Sequence, residues 1–107
     1  MPIQLSIWER RDSGRRETMG NIALELCRLC RKSEGITSTR FYWSGSDEIV
    51  FLFEGEAAAL DTPDQKILAD YAWLGFVLAD QASQILNKRL IDPKTGLQIY
   101  RIAGRYG

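Results

Sequence analysis

Histidine does not occur among the 107 residues. Its absence removes serine and cysteine triads that use a histidine base, and it removes histidine-ligated zinc or haem. Any acid or base must then come from Asp, Glu, Tyr, Lys or Cys. Cysteine is almost as scarce. Cys27 and Cys30 have the spacing of a redox motif, but they fall about two turns inside a predicted helix, far from the helix N-terminus that lowers a thiolate pKa. No second pair is present to complete a zinc site, so both thiols read as packing residues. Net charge is also missing: 14 basic residues balance 14 acidic ones, which withdraws the usual electrostatic case for nucleic-acid or anionic-membrane binding. The longest apolar run, Ala72 to Ala79, is too short to span a bilayer. Internal repeats, low-complexity stretches and linkers are absent. The expectation is one domain over residues 1–107, with no metal, no cofactor, no nucleic acid and no membrane. Met1 to Leu5 reads as an alternating strand rather than a basic segment before an apolar run, so a cytoplasmic location is expected.

What is present is a globular composition, 45% hydrophobic and 26% charged, enough for a modest core. Charge is uneven. Glu54 to Asp80 holds six acids against Lys66, and Gln81 to Gly107 holds five bases against Asp92; solvated faces account for such blocks, although they could also steer docking.

Ile3, Leu5 and Ile7 alternate with Gln4, Ser6 and Trp8 as in a half-buried strand. A polar loop spans Glu9 to Arg16. From about Glu17 the period becomes helical through Ile22, Leu26, Leu29 and Cys30, and Gly35 suits the stop. Thr37 to Phe53 reads as a hairpin turning at Gly45-Ser46. That turn pairs Trp43 with Glu48, Tyr42 with Ile49, Phe41 with Val50 and Arg40 with Phe51. One face then carries Phe41, Trp43, Val50 and Leu52; the other carries Arg40, Tyr42, Ile49, Phe51 and Phe53. Both faces are apolar, so something must cover each. Glu56 to Leu60 suggests a helical turn. Thr62-Pro63-Asp64-Gln65 has the cap, proline and glutamine of a helix start. Ile67, Tyr71, Leu74, Leu78, Ala82 and Ile85 mark the core stripe that follows. Trp73, Phe76 and Val77 lie on another face, which implies burial on two sides, and Gly75 allows a kink or a close backbone approach. Asp92 to Gly96 is a predicted turn, and Leu97 to Ile102 the last strand.

This βαββαβ order predicts a ferredoxin-like α+β fold: a four-stranded antiparallel sheet with two helices on one face. The uncovered face is expected to hold Gln4, Ser6, Trp8, a hairpin row and Gln98 with Tyr100. A patch of that size usually marks an interaction surface. Half a dozen large side chains at roughly 1.5–3 kcal/mol each outweigh association entropy, so a second copy is the simplest partner.

In element order and length the chain, from about Pro2 to Ala103, resembles the dimeric α+β barrel superfamily, which includes antibiotic-biosynthesis-type monooxygenases and stress-responsive barrel proteins. The most similar local stretch is Phe51-Leu52-Phe53-Glu54-Gly55-Glu56-Ala57-Ala58-Ala59-Leu60. The resemblance implies a homodimer packed sheet to sheet, with a pocket between sheet and helices or inside the barrel. The missing histidine departs from the haem-degrading branch.

No general base or nucleophile stands out, so catalytic residues are unassigned. Candidate ligand-binding residues are Ser6, Trp8, Arg40, Tyr42, Phe51 and Tyr100. An arginine enclosed among aromatics must meet an anion, either a ligand group or an acid such as Glu48 of a second copy. Arg10, Arg11, Arg15 and Arg16 around Gly14 could hold a phosphate or carboxylate, although a solvated loop explains them as well. The topology also fits RNA-recognition modules, but Asp47 to Phe53 lacks their basic, glycine-containing third-strand motif. Two readings follow: a small homodimer binding a small, partly apolar molecule that could be anionic, as a cofactor-independent oxygenase- or isomerase-like enzyme; or a non-catalytic dimerisation, sensor or stress-related module.

Overall fold

Residues 1–91 are described by the computed structural model; the predicted turn Asp92 to Gly96, the predicted strand Leu97 to Ile102 and Tyr100 lie outside the described residues. The helical period from Met19 to Cys30 builds α1 (Arg16–Cys30), whose Met19, Ile22, Ala23, Leu26, Cys27 and Cys30 are buried. The alternating segments become β1 (Ile3–Arg10), β2 (Ile36–Trp43) and β3 (Glu48–Gly55). A one-turn helix α2 (Ala57–Asp61) and a 3-10 turn (Gln65–Ile67) lead into α3 (Leu68–Gln81), followed by β4 (Ala82–Leu90). The strands form one antiparallel sheet in the order β2-β3-β1-β4. The long helices α1 and α3 pack over one face of it, around Ile49, Phe51, Leu78 and Ala82. This is the ferredoxin-like α+β arrangement.

Four expectations change. First, the second long helix does not run to Ile85. It ends at Gln81, and Ala82 is already extended, with φ −148° and ψ 160°. Ala82 and Ile85 fit a helical stripe by coincidence of period; the free edge of β1 offers them a ladder instead, and β1 pairs with β4 from Arg10↔Ala82 to Ile3↔Leu90 with a bulge at Ile85. The preceding loop fixes the stop. Arg11 donates its backbone N–H to Gln81 O (2.9 Å) and its Nε–H to Ala79 O (2.9 Å), satisfying terminal helix carbonyls. Gly14 lies against the Gln81 carbonyl, where a Cβ would collide with the oxygen.

Second, the hairpin loop is one residue longer than the predicted turn. Ser44 N–H donates to Glu48 O (2.8 Å), so Gly45, Ser46 and Asp47 form the loop, with Gly45 at φ 86°. Asp47 is drawn to β1: Arg10 donates to it from the backbone (2.7 Å) and from Nε (2.8 Å). The register becomes Trp43↔Ile49, Tyr42↔Val50, Phe41↔Phe51 and Arg40↔Leu52. A one-residue slip exchanges faces. Ile49, Phe51 and Phe53 therefore join Phe41 and Trp43 under the helices, and Val50 and Leu52 join Arg40 and Tyr42 on the uncovered face.

Third, the helix start is capped by Asp64 rather than Thr62. The Asp64 carboxylate accepts from the Lys66 N–H at 3.5 Å, whereas Thr62 follows α2 and donates its own N–H to Ala58 O (3.1 Å). Fourth, two-sided burial of the second helix is not seen among the described residues: Trp73 and Phe76 stack at 5.9 Å while 62% and 69% exposed.

Candidate functional site

β1 pairs Gln4 with Phe53, Ser6 with Phe51 and Trp8 with Ile49. Paired residues share a face, so Gln4, Ser6 and Trp8 lie under the helices, not on the open face where their polarity had placed them. β4 adds Gln84, Asn87 and Arg89 to the same face by pairing with Trp8, Ser6 and Gln4. Three cross-sheet rows result: Thr39–Phe53–Gln4–Arg89, Phe41–Phe51–Ser6–Asn87 and Trp43–Ile49–Trp8–Gln84. Apart from Thr39, which donates to Cys27 O, each row is apolar on the β2–β3 side and mostly polar on the β4 side.

The apolar half is closed by α1. Over the polar half α3 presents small residues, Ala72 and Gly75, and a Cβ built on Gly75 would meet nothing within 4 Å. The outcome is a cavity of about 500 Å³ between sheet and helices. Leu26, Phe51, Phe53, Ile67 and Leu78 supply its apolar wall, and Gln4, Ser6, Asn87 and Arg89 its polar wall. Volume and lining match those of small-molecule sites.

The polar wall is wired. Arg89 Nε–H donates to Gln4 Oε1 (2.7 Å), Gln4 Nε2 donates to Asn87 Oδ1 (2.6 Å), and Arg89 Nη2 donates to Asp61 Oδ1 (2.7 Å). Among the described lining residues Arg89 is the one cation and Asp61 the one carboxylate. Cys30 and Tyr71 also line the space. Burial pushes the Cys30 thiol up to about 12, with Cys27 adding to it, and pushes Cys27 up to about 11 against the opposing pull of Arg31. Both are protonated and inert near neutrality. The Tyr71 phenol is held above its ordinary value, first by desolvation and then by Cys30.

Of the sequence candidates, the structure gathers Ser6, Trp8 and Phe51 along this cavity. Arg40 and Tyr42 stand on the opposite face of the sheet, paired with Leu52 and Val50, and Tyr42 is 50% exposed. Tyr100 lies outside the described residues. Gln4, Asp61, Tyr71, Asn87 and Arg89 line the cavity too but were not among the ligand-binding candidates. Asn87 and Arg89 alternate with Leu86, Lys88 and Leu90, a strand signal hidden by the helical reading of the segment before it.

Three of the four arginines around Gly14 are engaged structurally. Arg10 holds Asp47 and donates to Gly14 O (3.0 Å), and Arg11 holds the end of α3. Arg16 donates to Ser46 O (3.0 Å), with its guanidinium 4.1 Å from the Trp43 ring centroid. Among the described residues, no group of three or more His, Cys, Asp and Glu side chains could hold a metal ion, and no helix is long and apolar enough to cross a membrane.

No protein-family model matches the sequence, and no curated protein matches it. Solved structures do match. SnoaB, a cofactor-independent oxygenase from Streptomyces nogalater, superposes with a TM-score of 0.72 at 7% identity over 87% of this chain and 93% of that one. Rv0793 from Mycobacterium tuberculosis gives 0.70 at 15% identity over 86% and 95%. A protein described as an antibiotic biosynthesis monooxygenase gives 0.65 at 16% identity over 86% and 97%. At these identities the likeness is one of fold: the chain has the ferredoxin-like α+β architecture of antibiotic-biosynthesis-monooxygenase-like proteins.

Proposed function

We propose that this protein binds a small, partly apolar molecule in the cavity between sheet and helices, and that it works as a homodimer joined through the open sheet face. The observation that carries the first part is the cavity itself, an apolar wall opposed by the wired polar wall of Gln4, Asn87 and Arg89. A fold with no ligand to accommodate would gain by filling this space with apolar side chains. Ser6, Trp8 and Phe51 are ligand-contacting residues on this reading. The homodimer is supported by the open face, where Ile3, Leu5, Ile7, Val50 and Leu52 form an apolar strip crossed by Arg40, Lys88 and Glu54. Both charge signs occur there, so the surface can pair with its own copy about a two-fold axis. Arg40, which has no ion-pair partner among the described residues, would meet an acid of the second copy.

For the reaction, cofactor-independent oxygenation or an isomerisation suits a cavity with an apolar wall that includes Phe51 and Phe53. The support is analogy with the oxygenase and monooxygenase named above, and fold alone carries activity only by association. The second reading, a non-catalytic dimerisation or sensor module, is favoured by one observation: Arg40 and Tyr42 face away from the cavity.

Native mass spectrometry of the full-length protein, before and after mild denaturation, tests the proposal. A dimer mass carrying a small molecule released on unfolding is expected. A ligand-free dimer that takes up no small aromatic molecule would favour the module reading, and a monomer at micromolar concentration would overturn the homodimer.

A further inference from the structure

The Arg89–Asp61 pair joins two parts of the fold that otherwise flank the cavity separately. Arg89 belongs to the outer strand of the polar wall; Asp61 ends α2, whose neighbours Ala59, Leu60 and Pro63 line the same space. Arg89 is 28% exposed at its side chain and Asp61 65%. A guanidinium has five N–H donors, and among the described residues two of its nitrogens are engaged, one by Gln4 and one by Asp61. Asp61 is therefore a largely solvated anion resting on the one cation among the described residues that line the cavity. Exposed pairs of this kind contribute little, whereas an anion held inside a dry site by a guanidinium fork gains a strong charge-assisted bond.

Resting on the cavity reading above, we infer that Arg89 receives a single anionic group of the ligand, such as a carboxylate or an enolate, and that Asp61 is its exchangeable internal counter-ion. Ligand binding exchanges one anion for the other and releases the Asp61 carboxylate from β4. Asp61 thereby acts as a built-in competitor and makes the site selective for apolar molecules that carry one negative charge.

Two fluorescent probes of similar shape test this on the full-length protein: 1-anilinonaphthalene-8-sulfonate, which is anionic, and N-phenyl-1-naphthylamine, which is neutral. The anionic probe is expected to bind about tenfold more tightly, the equivalent of one charge-assisted bond. Asp61→Asn should tighten the anionic probe several-fold and leave the neutral one unchanged. Arg89→Gln should abolish the preference and retain the neutral probe, and Arg89→Lys should restore part of it. Gly75→Leu, which fills the cavity, should weaken both.

Equal binding of both probes to wild type and Asp61→Asn overturns the inference while leaving the cavity reading intact. Failure of both probes to bind, or their undiminished binding to Gly75→Leu, overturns both. Should Arg89→Gln not fold, Asp61→Asn decides alone, because an unchanged affinity for the anionic probe rejects the competitor role.

Discussion

The two faces of the sheet differ in a direction opposite to that of an ordinary two-layer domain. Helices normally cover the apolar face of a sheet and leave the polar one wet. On the β1–β4 half of this sheet the helices cover Gln4, Ser6, Asn87 and Arg89, while Leu5, Ile7, Leu86 and Leu90 face outward. On the β2–β3 half both faces are apolar: Phe41 and Phe51 inward, Tyr42, Val50 and Leu52 outward. The covered face gives up apolar burial to make a wired cavity wall. The outward face carries an apolar surface that the monomer alone leaves partly exposed. Both departures make sense if each face has an occupant, a small molecule inside and a second copy outside.

The largest expected effect comes from placing the same charge on adjacent residues of β3. Phe51→Asp buries an unpaired carboxylate and deletes a core aromatic, a loss of more than about 4 kcal/mol, comparable with the whole stability of a small domain. Circular dichroism should show an unfolded chain. Leu52→Asp, one residue on, should keep native circular dichroism while light scattering reports a monomer. A Leu52→Asp protein that stays dimeric would break the comparison, since the outward face would then not need its apolar character for pairing.

Next come the thiols under α1. Burial raises Cys27 from the ordinary 9.0 to about 11 and Cys30 to about 12. The sign follows from proton counting. Above 9.0 the unfolded chain releases these protons while the folded chain keeps them, so stability is full below about pH 9 and falls as pH rises through 11. Urea unfolding midpoints should decline over that range, and much less in a Cys27→Ala/Cys30→Ala variant. Ellman's reagent at pH 8 should label the native protein slowly and the unfolded protein at once.

A smaller effect, of opposite sign, is expected at Gly75. The position is helical, and a Cβ there meets nothing within 4 Å. Gly75→Ala should raise stability by roughly 1 kcal/mol through helix propensity, as measured by urea denaturation, and should narrow the cavity. A loss of stability would mean that the space beside α3 is not open.

The sequence made the element order legible because helix and strand periods differ, and β1, α1, the hairpin and the one-turn helix all stand near their predicted places. The fourth strand was not, since Leu78, Ala82 and Ile85 satisfy a helical period that only the free edge of β1 overrules. The site was half legible. Ser6, Trp8 and Phe51 line the cavity, yet the reasoning that picked them set Ser6 and Trp8 on the wrong face: alternation shows which residues lie together, not which set the helices cover. Arg40 and Tyr42 stand on the uncovered face, whereas the cavity lies on the other. Gln4 was set on the uncovered face and Arg89 was passed over, because their significance lies in a cross-strand bond between residues 85 positions apart.

The smallest effect bears on what decides which hairpin residues face which way. Asp47 is bonded to Arg10 through both its backbone carbonyl and its carboxylate, beside a loop one residue longer than a two-residue turn. The hydrogen bond from Arg10 holds the Asp47 carboxyl below its ordinary 3.8, helped by the nearby charges of Arg10 and Arg16 against some desolvation. A lowered value means that the pair contributes above 3.8 and that its contribution is lost as pH falls below it. The pair is solvent-exposed, so the contribution is small and weakened by salt. Asp47→Asn should therefore lower the unfolding midpoint slightly at pH 7 and low salt, and the difference from wild type should vanish in acid well below 3.8. The register itself should survive, because returning to the two-residue turn would expel Ile49 and Phe51 from beneath α1. Amide exchange at Ser44, whose N–H is bonded to Glu48 O, reads this directly. Faster exchange with native cross-strand contacts would mean that the core fixes the register and Asp47 only trims the loop. A shifted pairing would instead make the Arg10–Asp47 contact the determinant of which face each hairpin residue serves.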